Sequence, residues 1–340
     1  MDMGGKLGVA VIGAGFIANM SHLPSIKRIS ELNLVAVVDI VEERAKNAAK
    51  RFGAKQYFTD FRKVLDMDEV DIVDVCTPTY THREISVEAM KSGKNVLCEK
   101  PIALKLRDAD EMINVAKKNN VKFMVAHCLR FWPEYARVKK MLDEGVIGEP
   151  RIARAYRYSS FPEWAPWHKR IDMGGGVFVD MSIHDVDFLR WSIGEVDRVY
   201  AKGGTYLYDD ATSHDYTHSI LYFKNGAIGF VEGSWIMPKG FRFTTYLEIA
   251  GERGLLTVDN RTPSSLSIYR PGGKEDYSTV FSEDAYFLEI REFVKSVIED
   301  KDPPVKGEDA RKTLEVVLAV VKSVIENRPI NLPLAGEVIE

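Results

Sequence analysis

The sequence predicts an α/β protein: a doubly wound parallel sheet first, then an α+β domain built on a large open, mostly antiparallel sheet. Three observations carry this prediction. From Leu7 to about Arg130, short β-branched runs alternate with amphipathic helical stretches, the rhythm of βαβ units. A glycine-rich turn, Gly13-Ala14-Gly15, separates the first run from the first helical stretch. After about Glu149 the segments lengthen and alternate in polarity, as antiparallel strands with one covered face do. The expected domains are residues 1–128 and 129–340.

In the first part, strand candidates begin at Leu7 (LGVAVIG), Leu32 (LNLVAVVD), Asp71 (DIVDVCTP), Asn95 (NVLCEKP) and Lys122 (KFMVAHCLR). Helical stretches lie between them at residues 41–52, 81–92 and 105–119. In the last of these, Leu106, Ala109, Met112, Ile113 and Ala116 recur at helical spacing, so that face packs on the sheet. In the second part, RIARAYRYSS, HSILYFKNGAIGFVEGSW and TTYLEIAGERGLLTVDN read as long antiparallel strands, with Asn225-Gly226 as a hairpin turn because both residues tolerate positive φ. Two late helices, near 284–299 and 308–326, flank the Pro303-Pro304 breaker.

A chain of 340 residues, 45% of them hydrophobic, exceeds one domain of usual size. The 46 Lys+Arg nearly balance 50 Asp+Glu, and no long run of either sign occurs; this argues against a nucleic-acid or polybasic membrane surface. Cys76, Cys98 and Cys128 sit apart, each in an apolar run that reads as a buried strand. They make neither a disulfide framework nor a zinc pattern, and no metal is expected. The opening MDMGGKLGVAVIG enters a strand without the parts of a secretion signal, and no stretch approaches the roughly 18 apolar residues of a membrane span. The expectation is a cytoplasmic protein.

The turn Gly13-Ala14-Gly15-Phe16-Ile17-Ala18 follows a strand and opens a helix, the context in which a dinucleotide fingerprint has mechanical meaning. Gly13 permits the tight turn, Gly15 lets backbone approach a pyrophosphate, and Ala18 keeps helix and strand close. The amides of Phe16 and Ile17 then face the phosphates at a helix N-terminus. Asp39 ends the second strand, where an acidic side chain holds ribose hydroxyls. A carboxylate there repels a 2′-phosphate, so NAD is expected rather than NADP, although Arg44 could serve a phosphate from the following helix.

The strand candidate from Asn95 ends in Glu99-Lys100-Pro101, and ligands sit at the carboxyl ends of strands in doubly wound sheets. Taken alone, Lys100 reads as a solvated surface residue. Further along, Gly174-Gly175-Gly176 precedes Asp180, His184 and Asp187, which share one face if the segment is helical. Asp180 as a helix cap and His184 as a core residue is the plainer reading of that segment.

Together these residues resemble the glucose-fructose oxidoreductase and inositol dehydrogenase (Gfo/Idh/MocA) family along nearly the whole chain: GAGFIA near the start, CTPTYTH after the strand from Asp71, EKP after the strand from Asn95 and GGGxxxDxxxH in the second domain. The resemblance implies a Rossmann domain followed by an α/β domain whose open sheet commonly forms the subunit interface, and thus a homodimer or homotetramer. It implies catalytic Lys100, Asp180 and His184 around the reacting hydroxyl, with Thr77, Pro78, Thr79 and His82 along the cofactor. Glu99 falls beside the nicotinamide ribose and Arg130 near the nicotinamide. The implied chemistry is reversible hydride transfer from an alcohol carbon to NAD. His184 is the natural base, since an unperturbed imidazole titrates at ~6.5. Lys100 polarises the oxygen, and Asp180 orients either the substrate or the imidazole.

The segment YRYSSFPEWAPWHKRIDM, with Trp167, His168 and Arg170, offers aromatic faces and charged donors that suit a sugar or cyclitol; packing of a loop would need the same aromatics. Two other classes stay open: a nucleotide-sensing regulator without catalysis, and an enzyme that uses bound NAD for transient oxidation in a hydrolase or lyase reaction.

Overall fold

The computed structural model describes residues 5–262, 264–277 and 284–339. The opening MDMG, read above as leading straight into the first strand, lies outside the described residues. The chain forms two compact units, Met1–Cys128 with Glu283–Arg311, and Leu129–Ser282 with Lys312–Glu340.

The first unit holds a six-stranded sheet of β1 (Leu7–Ile12), β2 (Leu32–Val38), β3 (Gln56–Phe58), β4 (Ile72–Val75), β5 (Asn95–Glu99) and β6 (Phe123–Ala126), in the order β3-β2-β1-β4-β5-β6. Every pair is parallel. The order reverses between β1 and β4, which opens a crevice outside their carboxyl ends. Buried strands of this kind need apolar residues on both faces, and β1, LGVAVI, is buried throughout. The helices are α1 (Leu23–Arg28), α2 (Glu42–Phe52), α3 (Arg62–Leu65), α4 (His82–Lys91) and α5 (Leu106–Asn119). α2 starts with Glu42 and Glu43 and stops at Gly53 with φ +83°, matching the helix dipole and the left-handed cap. On α5 the buried residues are Leu106, Ala109, Met112, Ile113 and Ala116, the face read from the sequence.

The second unit begins with α6 (Pro133–Asp143), β7 (Pro150–Tyr158), the one-turn α7 (Ile171–Gly174) and α8 (Ile183–Ile193). β8 (Val196–Gly204), β9 (Tyr216–Phe223), β10 (Ile228–Ser234), β11 (Thr244–Gly251), β12 (Gly254–Asp259), β13 (Leu266–Arg270) and β14 (Gly273–Tyr277) follow. With β15 (Ile330–Asn331) they make a nine-stranded sheet ordered β14-β13-β12-β11-β7-β10-β9-β8-β15. Asn225-Gly226 turns β9 into β10, with Gly226 at φ +87°. The sheet is mostly antiparallel, as expected; among its described strands β7 and β10 alone run parallel, because two helices and two strands between them form the crossover that parallel neighbours require.

α9 (Ala285–Ile298) and α10 (Gly307–Glu326) complete the chain. The described residues 284–311 pack with the first unit: α9 buries Phe287, Ile290, Phe293 and Val294 and lies against α1 and β5. Cys98 lies in β5, whereas Cys76 follows β4 and Cys128 opens a 3₁₀ turn rather than a strand; all three are buried thiols. Among the described residues no helix is long and apolar enough to cross a membrane.

Candidate active site

In the first unit the candidate residues gather at the carboxyl ends of β1, β2, β4 and β5. Gly13 has φ +96°, and a Cβ on it would sit 2.6 Å from the Cys76 carbonyl oxygen, so only glycine passes there. At Gly15 a Cβ would meet nothing within 4 Å; that side of the turn is open. Phe16, 54% exposed, and Ile17 lead into a wide π-helical turn at Ala18–His22, a departure from regular helix often found at functional sites. Asn19 Nδ2 donates to the carbonyls of Ala14 (2.8 Å) and Gly15 (3.0 Å). Asp39 Oδ2 accepts from the Ala14 amide and its Oδ1 from the Val41 amide, both at 2.9 Å. The carboxylate read as a ribose ligand thus also braces the glycine turn, with lone pairs left over.

Thr77 and Pro78 are half-buried and Thr79 is buried. Thr81 Oγ1 lies 2.8 Å from Thr77 Oγ1 and 2.7 Å from the Pro78 carbonyl. Buried His82 spans two turns, with Nε2 2.9 Å from the Thr77 carbonyl and Nδ1 2.8 Å from the Pro101 carbonyl. Burial pulls its pKa down, against the two carbonyls. Lys100 is half-buried, and its amide donates to Glu99 Oε2 at 2.9 Å. Glu99 Oε1 is 3.0 Å from His22 Nε2, and His22 Nδ1 is 2.8 Å from Asp74 Oδ2. Burial would depress His22, but Asp74 and Cys76 hold its pKa well above the ordinary value. Burial likewise raises Glu99, but His22 and Lys100 outweigh it and keep the carboxyl below its usual range.

Ligand-type atoms of His22, Asp74 and Cys76 lie within 4.8 Å of one another. Both His22 nitrogens already face carboxylates at hydrogen-bonding distance, and burial pushes the Cys76 thiol up to about 12. The cluster reads as an ion-pair network.

In the second unit a π-helical turn at Phe178–Ser182 carries Asp180, and α8 carries His184. Asp180 is partly exposed, and its Oδ2 lies 3.9 Å from Nε2 of buried His168. His168 packs beside Trp235 and Trp167, with ring centroids 5.2 and 5.6 Å away, and its carbonyl accepts from Ser213 Oγ. A Cβ on Gly174 would come 2.7 Å from His168 Nδ1, so the glycine run makes room for this ring. Arg170 is exposed and paired with Asp172 at 3.0 and 2.5 Å.

Two family models match the chain: "Oxidoreductase family, NAD-binding Rossmann fold" over residues 7–127, and "GFO/IDH/MocA C-terminal domain" over residues 135–257. The chain belongs to the GFO/IDH/MocA oxidoreductase family. Myo-inositol 2-dehydrogenase of Thermotoga maritima is 31% identical over 95% of this chain and 98% of its own length. The scyllo-inositol 2-dehydrogenase (NAD(+)) of Bacillus subtilis is 30% identical over 95% of each. A crystal structure of a probable dehydrogenase from Thermotoga maritima superposes with TM-score 0.83 at 30% identity, over 96% of this chain and 99% of that one.

Family membership makes residues 7–127 an NAD-binding Rossmann fold, and the geometry of the glycine turn fits a pyrophosphate: the Gly15 side is open, and Gly13 is held from behind. Arg130 is buried in a bidentate pair with Asp187 at 2.7 and 2.6 Å. One expectation needs revision. Asp187, read as sharing the face of Asp180 and His184, is 1% exposed and also accepts from Thr313 Oγ1 at 2.9 Å. The wide turn at Phe178–Ser182 breaks the regular spacing on which that shared face was read. The buried pair of Arg157 with Asp185, at 2.9 Å, further anchors α8 to β7.

Sequence reasoning missed His22 and Asp74. A signal was present in IVDV, where one carboxylate interrupts a buried strand, since such a charge demands a partner.

Proposed function

We propose that this chain is an NAD-dependent dehydrogenase that oxidises a secondary hydroxyl of a sugar, cyclitol or sugar derivative. Lys100 positions the oxygen, His184 takes its proton, and Asp180 orients the substrate or the imidazole. The observation that carries this reading is the Lys100 turn at the carboxyl end of β5, held through Glu99 on one side and through Pro101 on the other. Full-length similarity to two inositol 2-dehydrogenases supports the substrate class. Bound NAD supplies the hydride acceptor. Gly13, Gly15, Phe16, Ile17 and Asp39 hold it, with Thr77, Pro78 and Thr79 alongside. The Lys100 ammonium favours alkoxide character on the oxygen, and His184 accepts the hydroxyl proton. Trp167, His168 and Arg170 belong to the substrate end, and Arg170 keeps N–H donors beyond the two it gives Asp172.

The test is a panel of cyclitols, aldoses, uronates and sugar nucleotides incubated with NAD and read at the NADH absorbance. At least one should give NADH in proportion to enzyme, with a rate that chelators leave unchanged; silence across the panel would count against a dehydrogenase.

Asp39 should make NAD the better cofactor by kcat/KM, because its carboxylate faces any 2′-phosphate. Replacing Asp39 with Ser should narrow the preference. Equal or better turnover with NADP in the unmodified protein would overturn this assignment.

Copies of the chain pair, in this reading, through the open face of the nine-stranded sheet. Outward residues include Ile152 and Phe230, 37% and 41% exposed, and a tyrosine stack in which Tyr156 lies 4.6 Å from Tyr158 and 4.9 Å from Tyr246. This face is aromatic and charged, with Arg154 paired to Glu248 and Arg261 over Tyr156 and Tyr246, and a second copy would cover it. Analytical ultracentrifugation at micromolar concentration should show a dimer or tetramer, and Phe230→Asp should shift it towards monomer. A strictly monomeric parent protein would rule this out.

A further inference from the structure

We propose that His22 is a positioning residue for Lys100: clamped between Asp74 and Glu99, it fixes the Glu99 carboxylate, which in turn holds the Lys100 amide and with it the place from which the lysine side chain departs. This inference rests on the dehydrogenase reading of Lys100.

The chain of contacts is short and buried. His22 is 0% exposed, Asp74 1% and Glu99 6%, and the links run from Asp74 to His22 (2.8 Å), His22 to Glu99 (3.0 Å) and Glu99 to the Lys100 amide (2.9 Å). A ring facing carboxylates at both nitrogens must donate from both, and only the imidazolium has two N–H groups. The His22 cation 3.0 Å away and Lys100 beside it keep Glu99 ionised, so it accepts the amide in a charge-assisted bond.

The three partners come from three elements. His22 ends the π-helical turn behind the glycine loop, Asp74 sits within β4, and Glu99 ends β5. The contact therefore ties the cofactor turn to the Lys100 turn at the edge where the sheet order reverses. From the other flank, His82 joins the Thr77 and Pro101 carbonyls. Lys100 is thus bracketed by two buried histidines, of which His22 ends on carboxylates and His82 on backbone carbonyls. A group that loosens by about 1 Å in an active site loses rate rather than binding.

The experiment is His22→Gln in the full chain, a variant that can donate to one carboxylate at a time. Expected are a fall in kcat of about 10- to 100-fold, KM and the NAD dissociation constant within threefold of the parent, and at least tenfold faster hydrogen exchange at the Lys100 amide in the cofactor-free protein. Met112→Ala on α5, whose loss of Tm should be at least as large, should keep kcat and the Lys100 exchange rate; that control separates positioning from stability. His22→Gln combined with Glu99→Gln should be no slower than Glu99→Gln alone, because His22 acts through Glu99. If His22→Gln does not fold, Asp74→Asn carries the same readouts. Normal kcat and unchanged Lys100 exchange in the folded variant, while Lys100→Ala is inactive, would overturn the positioning role alone. Retained turnover in Lys100→Ala would overturn the dehydrogenase reading beneath it.

Discussion

Replacing Lys100 or His184 with Ala is expected to lower turnover by roughly 10²–10⁴-fold, the usual range for general acid–base help, while NAD affinity stays near that of the parent. In the proposed function both residues act on charge that develops as the hydroxyl loses its proton, so their contribution should appear in the transition state more than in binding. The base must be neutral to accept a proton. Oxidation therefore rises with pH through the titration of the base, and His184→Ala should lose that limb. Stopped-flow rates across pH, with NAD affinity from fluorescence quenching, check both parts. Near-normal turnover in both Ala variants would remove the chemistry from this pair and favour a regulator.

Arg130→Met should destabilise the second unit by about 3–5 kcal/mol, the usual consequence of removing one partner from a buried ion pair. The guanidinium lies 2.7 and 2.6 Å from the two Asp187 oxygens. Thr313 Oγ1 accepts from Arg190 at 2.7 Å as it donates to Asp187, so the loss strands a carboxylate in a shared network. Asp187 lies one turn beyond His184 on α8, so kcat should fall along with Tm. Substituting Asp187→Leu in the same chain should restore part of the stability, since a buried pair replaced by apolar groups is often neutral. Unchanged unfolding with NAD affinity lost instead would return Arg130 to the cofactor.

Where one rule of local physics decides an element, the sequence was enough to find it. The apolar face of α5, the parallel strands β1, β2, β4, β5 and β6, and the Asn225-Gly226 turn each follow from periodicity or from backbone freedom at named residues. What escaped depends on partners distant in the chain. Asp187 is 57 residues from Arg130, and Glu99 is 77 from His22; spacing along one helix cannot reveal such pairs. The parallel β7·β10 pair and the packing of α9 on the first unit are likewise choices among long-range partners. Asp39 was legible as an acid at the end of β2, but not as a brace for the Ala14 amide, because that bond depends on how the turn folds back.

The most direct measurement uses the best substrate of the panel with deuterium at the carbon that bears the reacting hydroxyl. NADH released into solution should carry one deuterium for each ketone formed, and turnover should slow relative to the protonated substrate. Conversion of the substrate with the cofactor still oxidised at the end, or with the deuterium lost to water, would contradict net hydride transfer from that carbon and favour transient oxidation instead.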